Sequence, residues 1–257
     1  MLSKAYWISL LTLARREVMR VLRIWPQSLL PPVMTMSLYF VVFGSLIGPR
    51  VGQMHGFPYI QFIAPGLIMM SAITNAYTNV SSSFFSSKFQ RSIEEIQVSP
   101  MPPSAIILGF TLGGVVRGLF AGLLVMGVAL FFTRLHMPHP GMMLLVIFLS
   151  SFLFALAGLF NGIFAQKFDD VTIIPTFVIT PLTYLGGVFY SIQMLHGFWL
   201  QITLANPILY LVNAFRYGML GISDVNPHGA IIAILGFIVM LYTVCWWLIK
   251  TGRRMRS

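Results

Sequence analysis

Six stretches of this 257-residue sequence are long, apolar and almost free of charge: roughly 27–48, 59–84, 104–132, 141–165, 171–190 and 229–249. Crossing about 30 Å of hydrocarbon takes about 20 helical residues. Lipid offers no hydrogen bonds, so each backbone group must be satisfied within its own helix or by neighbouring protein. The sequence therefore predicts an all-α, polytopic membrane protein with six transmembrane helices. Charged residues make up 9 % of the chain, against about a quarter in soluble domains, too few for a water-facing surface. That excludes a soluble enzyme and a nucleic-acid-binding domain, despite a net charge of +10. The fifth run is interrupted by Pro175 and Pro181, whose freed carbonyls neighbouring helices must satisfy.

The basic residues give a direction. Lys4, Arg15, Arg16, Arg20 and Arg23 precede the first run; Lys88 and Arg91 follow the second; Lys167 follows the fourth; Lys250, Arg253, Arg254 and Arg256 follow the last. The opposite loops hold only Arg50, Arg134 and Arg216, a split of twelve to three. Lys and Arg favour the cytoplasmic side, so both termini are expected there, as an even number of spans requires. Arg117 is left inside the third run. It must face protein or a wet cavity, as a contact for anionic cargo or a gate, or as a structural group bonded to carbonyls or to Asn161 or Thr180.

Two segments do not span. In residues 3–25, Trp7, Leu11, Ala14, Val18, Leu22 and Trp25 recur at helical spacing, with Arg15, Arg16, Arg20 and Arg23 elsewhere on the wheel, until Pro26. This predicts an amphipathic helix lying in the cytoplasmic interface among anionic head groups. Residues 193–220 are apolar but broken at Asn206-Pro207, leaving halves too short to cross. They are expected to enter the external leaflet and return; a seventh span is the alternative. The loop after the second run, 87–98, holds Phe89, Ile93 and Ile96 on one stripe with Lys88, Gln90, Arg91, Glu94 and Glu95 around it, ahead of Pro100, Pro102 and Pro103. It reads as a short helix, capped by Ser86 or Ser87, fit to dock in a partner's groove.

Glycines repeat every four residues at Gly114, Gly118 and Gly122, and pairs occur at Gly44 and Gly48 and at Gly158 and Gly162. These faces predict close helix packing, within one chain or between two. Catalytic patterns are missing from the sequence. It has no phosphate-binding G-x-x-x-x-G-K-[ST] loop, no H-E-x-x-H and no G-x-S-x-G. None of the six acids (Glu17, Glu94, Glu95, Asp169, Asp170, Asp224) falls mid-span, which disfavours an ion-coupled carrier. His55, His136, His139, His196 and His228 all fall in loops on one side and are expected to be solvated. Neither a catalytic nor a metal site is expected.

Three features together resemble a known family: the amphipathic start, the F-Q-R-S-I-E-E-I stretch at 89–96, and the block 168–221 with N-P-I-L-Y-L-V-N-A-F-R-Y-G at 206–218. The chain resembles the ABC-2 type permeases, membrane subunits of ATP-binding-cassette exporters, and within them the Gram-negative inner-membrane permeases of the YadH/NodJ-like group. The resemblance implies one transmembrane domain over 1–257, working as a homodimer with two copies of a soluble ATPase that binds ATP and magnesium. It also implies amphiphilic cargo such as glycolipids, lipo-oligosaccharides or hydrophobic drugs, and a bacterial inner-membrane location. On it, 87–98 is the coupling helix, 3–25 the interface helix and 193–220 the external re-entrant helices, turning at Asn206 and Pro207 and carrying Arg216. Gating is expected from the first, second and fifth spans. Arg117, Pro175, Phe177, Pro181, Tyr184 and Phe189 are the path or gate candidates, with Met69, Met70 and Leu182 as apolar lining. The alternative is a channel or secondary transporter that needs no ATP.

Overall fold

The structure, a computed structural model, describes residues 4–99 and 101–252. Pro100 and the tail arginines Arg253, Arg254 and Arg256 lie outside the described residues, as does residue 3, where the leader was expected to begin.

Helix α1 (Lys4–Arg23) stops at Ile24, and Pro26 sits in the first turn of α2 (Trp25–Tyr39), where its missing N–H is no loss. The rod continues through a π-helical stretch, Phe40–Ile47, into α3 (Gly48–Val51), giving 27 residues without a break. A tight antiparallel hairpin, Gln53–Met54 with Phe57–Pro58, leads into α4 (Tyr59–Phe89). These are the only strands among the described residues.

Helix α4 is the axis of the bundle. Of its 31 residues 24 are buried, and it packs against α6 (Pro103–Phe132) and α7 (Pro140–Phe164). The glycine repeats explain how these helices approach. A Cβ on Gly118 would meet the Ala72 carbonyl, Ala76 Cβ and Ser151 Oγ, each at 2.9 Å, and one on Gly162 would meet the Ser81 carbonyl at 3.2 Å. On the other side of α6, Gly109 and Gly113 admit Leu13 and Glu17 of α1. Gly44 faces Ile60. All three glycine faces therefore serve packing within one chain.

The expected fifth span, 171–190, is instead a 17-residue rod built from α8 (Phe168–Ile174), a π-helical stretch Pro175–Ile179 and α9 (Thr180–Tyr184). At 1.5 Å per residue it is about 26 Å long. It starts early because the Asp170 carboxylate accepts the N–H groups of Gln166 and Lys167 and caps the first turn. It ends early at Gly186-Gly187, where Gly187 takes φ +70°. Then come α10 (Phe198–Ala205) and α11 (Pro207–Leu220), meeting at 76°, and finally α12 (Pro227–Thr251). Among the described residues five helices are long and apolar enough to cross a membrane, or six with the bent pair counted as one span.

The hydrogen bonds sort the loops into two ends. At one end lie α1, the close of α4, the start of α6, the close of α7 and the start of α8: Ser83 binds Glu17, Lys88 binds Ile163 and Ala165, and Phe85 packs on Phe168. At the other lie the hairpin and residues 185–226: Met137 donates to Met219, and Arg216 to Gly187 and Phe62. Residues 168–184 run from the first end to the second. The chain leads into the bent pair from Ser191, which is bonded to Asp224, and leaves it at Leu220, both at the second end. The described Lys and Arg residues outside α6 keep the expected division: Lys4, Arg15, Arg16, Arg20, Arg23, Lys88, Arg91, Lys167 and Lys250 against Arg50, Arg134 and Arg216.

Candidate functional site

The helix expected over 87–98 is shorter. Lys88 and Phe89 finish α4, Gln90 and Arg91 form a turn with Arg91 at φ +60°, and α5 covers only Ser92–Val98. Neither Ser86 nor Ser87 caps it, because nothing interrupts the helix that contains them; the Ser87 carbonyl instead accepts the Ser92 hydroxyl at 3.1 Å. The residues assigned to docking point in different directions. Lys88 is buried, its Nζ donating to the carbonyls of Ile163 (3.1 Å) and Ala165 (2.9 Å), so it caps the end of α7. Ile93 is also buried, in the main core. Phe89, Gln90, Arg91, Glu94 and Glu95 stay exposed, with the Phe89 ring stacked edge-on to Phe168. The outward face is therefore acidic at α5 and aromatic at its root.

The leader is amphipathic, but its packed face is not the predicted one. Trp7, Leu11, Leu22 and Trp25 are exposed, while Leu10, Leu13, Glu17 and Val21 are buried, Leu13 and Glu17 against Gly109 and Gly113 of α6. At 100° per residue the two stripes lie about a quarter turn apart, so one face meets protein and the next remains free for lipid. Glu17, expected on the interfacial helix, is 1 % exposed. Arg16 and Arg20 each pair with it at 3.1 Å, and Ser83 donates at 2.6 Å. Arg20 also donates to the carbonyl and the side-chain oxygen of Asn79, clamping α1 on α4. Arg15 and Arg23 are exposed.

Arg117 faces protein, yet neither suggested side chain reaches it. Asn161 is aimed at the carbonyls of Asp170 and Val171, and Thr180 donates to Pro175. Arg117 Nη2 makes one long contact, 3.4 Å, to the Ser28 carbonyl, and its Nε is buried without a partner among the described residues.

The path candidates divide as well. Met69 and Met70 lie inside the chain's own core, and Pro175 is buried. Phe177 and Pro181 face outward, as does Tyr184 in part. The Tyr184 and Tyr39 hydroxyls are 2.6 Å apart, and Phe189 stacks on Tyr184 at 5.7 Å and meets Phe43 at 4.6 Å. Tyr59 of α4 donates to the Phe189 carbonyl at 2.9 Å. An aromatic clasp thus joins the first rod to the fifth. Each of those rods carries a π-helical stretch, a feature that recurs at functional sites. Tyr39 and Phe43 were missed because a lone aromatic in an apolar run carries no periodic signal.

At the far end Asn206 caps α11 through Ile208 N–H and reaches back to the Leu182 carbonyl at 2.6 Å, with Pro207 in the first helical turn. Arg216, assigned to a loop, is 1 % exposed. It donates to the Gly187 and Phe62 carbonyls and to Asn213, and lies 3.9 Å over the Phe62 ring. His55 is not a purely solvated loop histidine: Nε2 lies 3.0 Å from Ser191 Oγ and 3.1 Å from Asp224 Oδ1. Asp224 also accepts from Ser191 and the Ile192 N–H. The network pins the hairpin, residues 191–192 and the loop before α12 to one another.

These features, a mostly helical bundle with a clamped leader helix, a bent apolar pair and an acidic turn after its axial helix, are those of a polytopic membrane protein. The chain belongs to the ABC-2 type transporter family, whose pattern it matches over residues 8–220. It is 54 % identical to the inner membrane transport permease YadH of Escherichia coli K12, over 98 % of both chains, and equally to YadH of Shigella flexneri. Nodulation protein J of Rhizobium leguminosarum bv. viciae is 26 % identical over 83 % of each chain. The chain is thus a multi-pass membrane transport permease by family.

Proposed function

We propose that this chain is the membrane half of an ATP-driven exporter, acting as a homodimer with two soluble ATPase subunits that bind ATP and magnesium. Both termini and the basic end face the bacterial cytoplasm, in the inner membrane, in keeping with the charge division. Its cargo is amphiphilic: a glycolipid, a lipo-oligosaccharide or a hydrophobic drug. The observation that carries this reading is the aromatic clasp of Tyr39, Phe43, Tyr184 and Phe189 beside the outward Phe177. It leaves an apolar face on the first and fifth rods that a second copy can complete into a path.

Closure of the ATPase dimer is transmitted through the exposed Arg91, Glu94 and Glu95 and through the clamped leader. Because Lys88 holds α7 and Ile93 is seated in the core, a push on α5 is carried directly to α4. The two π-helical stretches give the first and fifth rods a place to change register as they part. Arg117, with Nε unpartnered among the described residues, stands ready for an anionic group of the cargo.

The test is reconstitution with the co-expressed ATPase and a fluorescent amphiphile. Outward movement only with hydrolysable ATP is expected. Movement by the chain alone overturns the reading and favours a channel or secondary transporter. Reversing Glu94 and Glu95 to Lys together is expected to remove ATPase co-purification while membrane insertion is retained; undiminished co-purification places docking elsewhere.

A further inference from the structure

Between the leader and the end of α4 lies a cavity of about 560 Å³, lined in part by Arg16, Arg20, Arg23, Ser86, Ser87 and Gln90. Three arginines against the single carboxylate of Glu17 leave its lining at +2. Two of the three guanidinium groups are held in place. Glu17 pairs with Arg16 and Arg20, and Asn79 takes another Arg20 donor. The side chains of Arg23, Gln90, Ser86 and Ser87 make no hydrogen bond among the described residues, so their donors are available.

We infer that this cleft binds a phosphate-bearing anionic group. A phosphate has more acceptor oxygens than a carboxylate, and guanidinium forks with adjacent hydroxyls match them in geometry and charge. The level in the bilayer also fits. Arg23 is the last residue of α1, immediately before the first rod begins at Trp25. The exposed stripe of Trp7, Leu11, Leu22 and Trp25 flanks the packed face. An amphipathic helix with such a stripe lies among the lipid head groups, which places the cleft's mouth at that depth. The occupant is a lipid head group, of the bilayer or of the cargo, or free phosphate. The inference deepens the exporter reading by assigning the acidic group this end receives. The binding measurement needs no ATPase, so its failure leaves that reading standing.

The experiment is native mass spectrometry of the purified full chain with phosphatidic acid, phosphatidylglycerol or phosphatidylcholine. Preferential retention of the two anionic lipids is expected. Arg23→Gln and the double change Ser86→Ala with Ser87→Ala should each lower that retention about tenfold, the effect of losing one charge-assisted bond. Arg15→Gln, an equal charge loss on an exposed residue outside the cleft, should change it little. These residues are not buried supports, apart from Ser87, so Arg23→Gln is the variant least open to misfolding. Displacement by millimolar inorganic phosphate assigns the free anion; resistance to it assigns the head group. Equal losses in Arg15→Gln and Arg23→Gln reduce the effect to surface charge and overturn the site. Undiminished lipid with loss of a co-purifying ATPase makes the cleft a docking surface and overturns it too.

Discussion

Lys88 shows how a charge in a loop sequence becomes a structural group. Its ammonium reaches two carbonyls at the close of α7, which would otherwise face a dry interior. Lys88→Met keeps the aliphatic stem and removes the donors, so both acceptors are orphaned. The expected loss is about 1–3 kcal/mol, read as a lower melting temperature of the purified chain. Ile93 remains seated, so an unchanged melting point refutes the capping role. Two glycines of α6 make a matched pair. A Cβ at Gly118 meets two helices at 2.9 Å, whereas one at Gly127 has open space within 4 Å. Gly118→Ala is expected to destabilise by about 1–3 kcal/mol through overpacking, and Gly127→Ala to be neutral. Equal melting points for the two would show that α4, α6 and α7 are not packed through this face. Arg216 is the third case. Its guanidinium serves three acceptors from different elements. Removing it with Arg216→Leu strands these buried acceptors, so a loss of about 1–3 kcal/mol, or more, is expected, read as a lower melting temperature of the purified chain.

At the scale of elements, the clasp between the first and fifth rods is the part most open to change. Its hydroxyl pair, Tyr39 with Tyr184, is exposed on this chain, and its rings are only partly buried where they pack on the main core. Replacing both tyrosines by Phe keeps the stacking and removes the bond. The expected result is a chain of near-normal stability with transport altered, since the bond contributes only about 0.5–1.5 kcal/mol to folding. A large drop in melting temperature with unchanged transport would make the clasp structural. The long apolar helices were legible in the sequence, because length and apolarity decide them: third and fourth begin and end within a residue of expectation, whereas the expected fifth is not one of the five helices long enough to cross. Ends set by hydrogen bonds were not. The second helix runs on to Phe89 since Ser86, Ser87 and Lys88 are all helix-compatible, and the stop comes from Arg91 turning to positive φ. The leader's periodicity was legible, but apolarity cannot tell a lipid face from a protein face. Only the glycines at 109 and 113, read against Leu13 and Glu17, reveal which stripe is packed. Arg216 and Glu17 were missed for the same reason. Burial of a charge depends on partners from distant elements, and no local pattern announces them.

Taken as a whole, the molecule is buried unevenly, and the proposed second copy has a face to cover. The apolar window of α4 is 83 % buried, while those of the first rod and of α12 are each 17 % buried. Lipid alone can cover both of the latter, since hydrocarbon is as apolar as leucine. Aromatic groups bonded hydroxyl to hydroxyl, next to the 73 % exposed Phe177, are a poorer match to lipid and a better one to another protein face. The chain's own chemistry makes the test clean. Cys245 is the single cysteine and is fully buried, so an introduced thiol is the only reactive one among the described residues. Phe177→Cys, on the fifth rod, is expected to give disulfide-linked dimers in membranes treated with a mild oxidant. Phe131→Cys, 90 % exposed at the end of α6, is expected to remain monomeric under the same oxidant. Dimers through position 131 and none through 177 would place the two-fold axis on the opposite face of the bundle. The clasp would then face lipid, and the path through first and fifth rods would have to be abandoned.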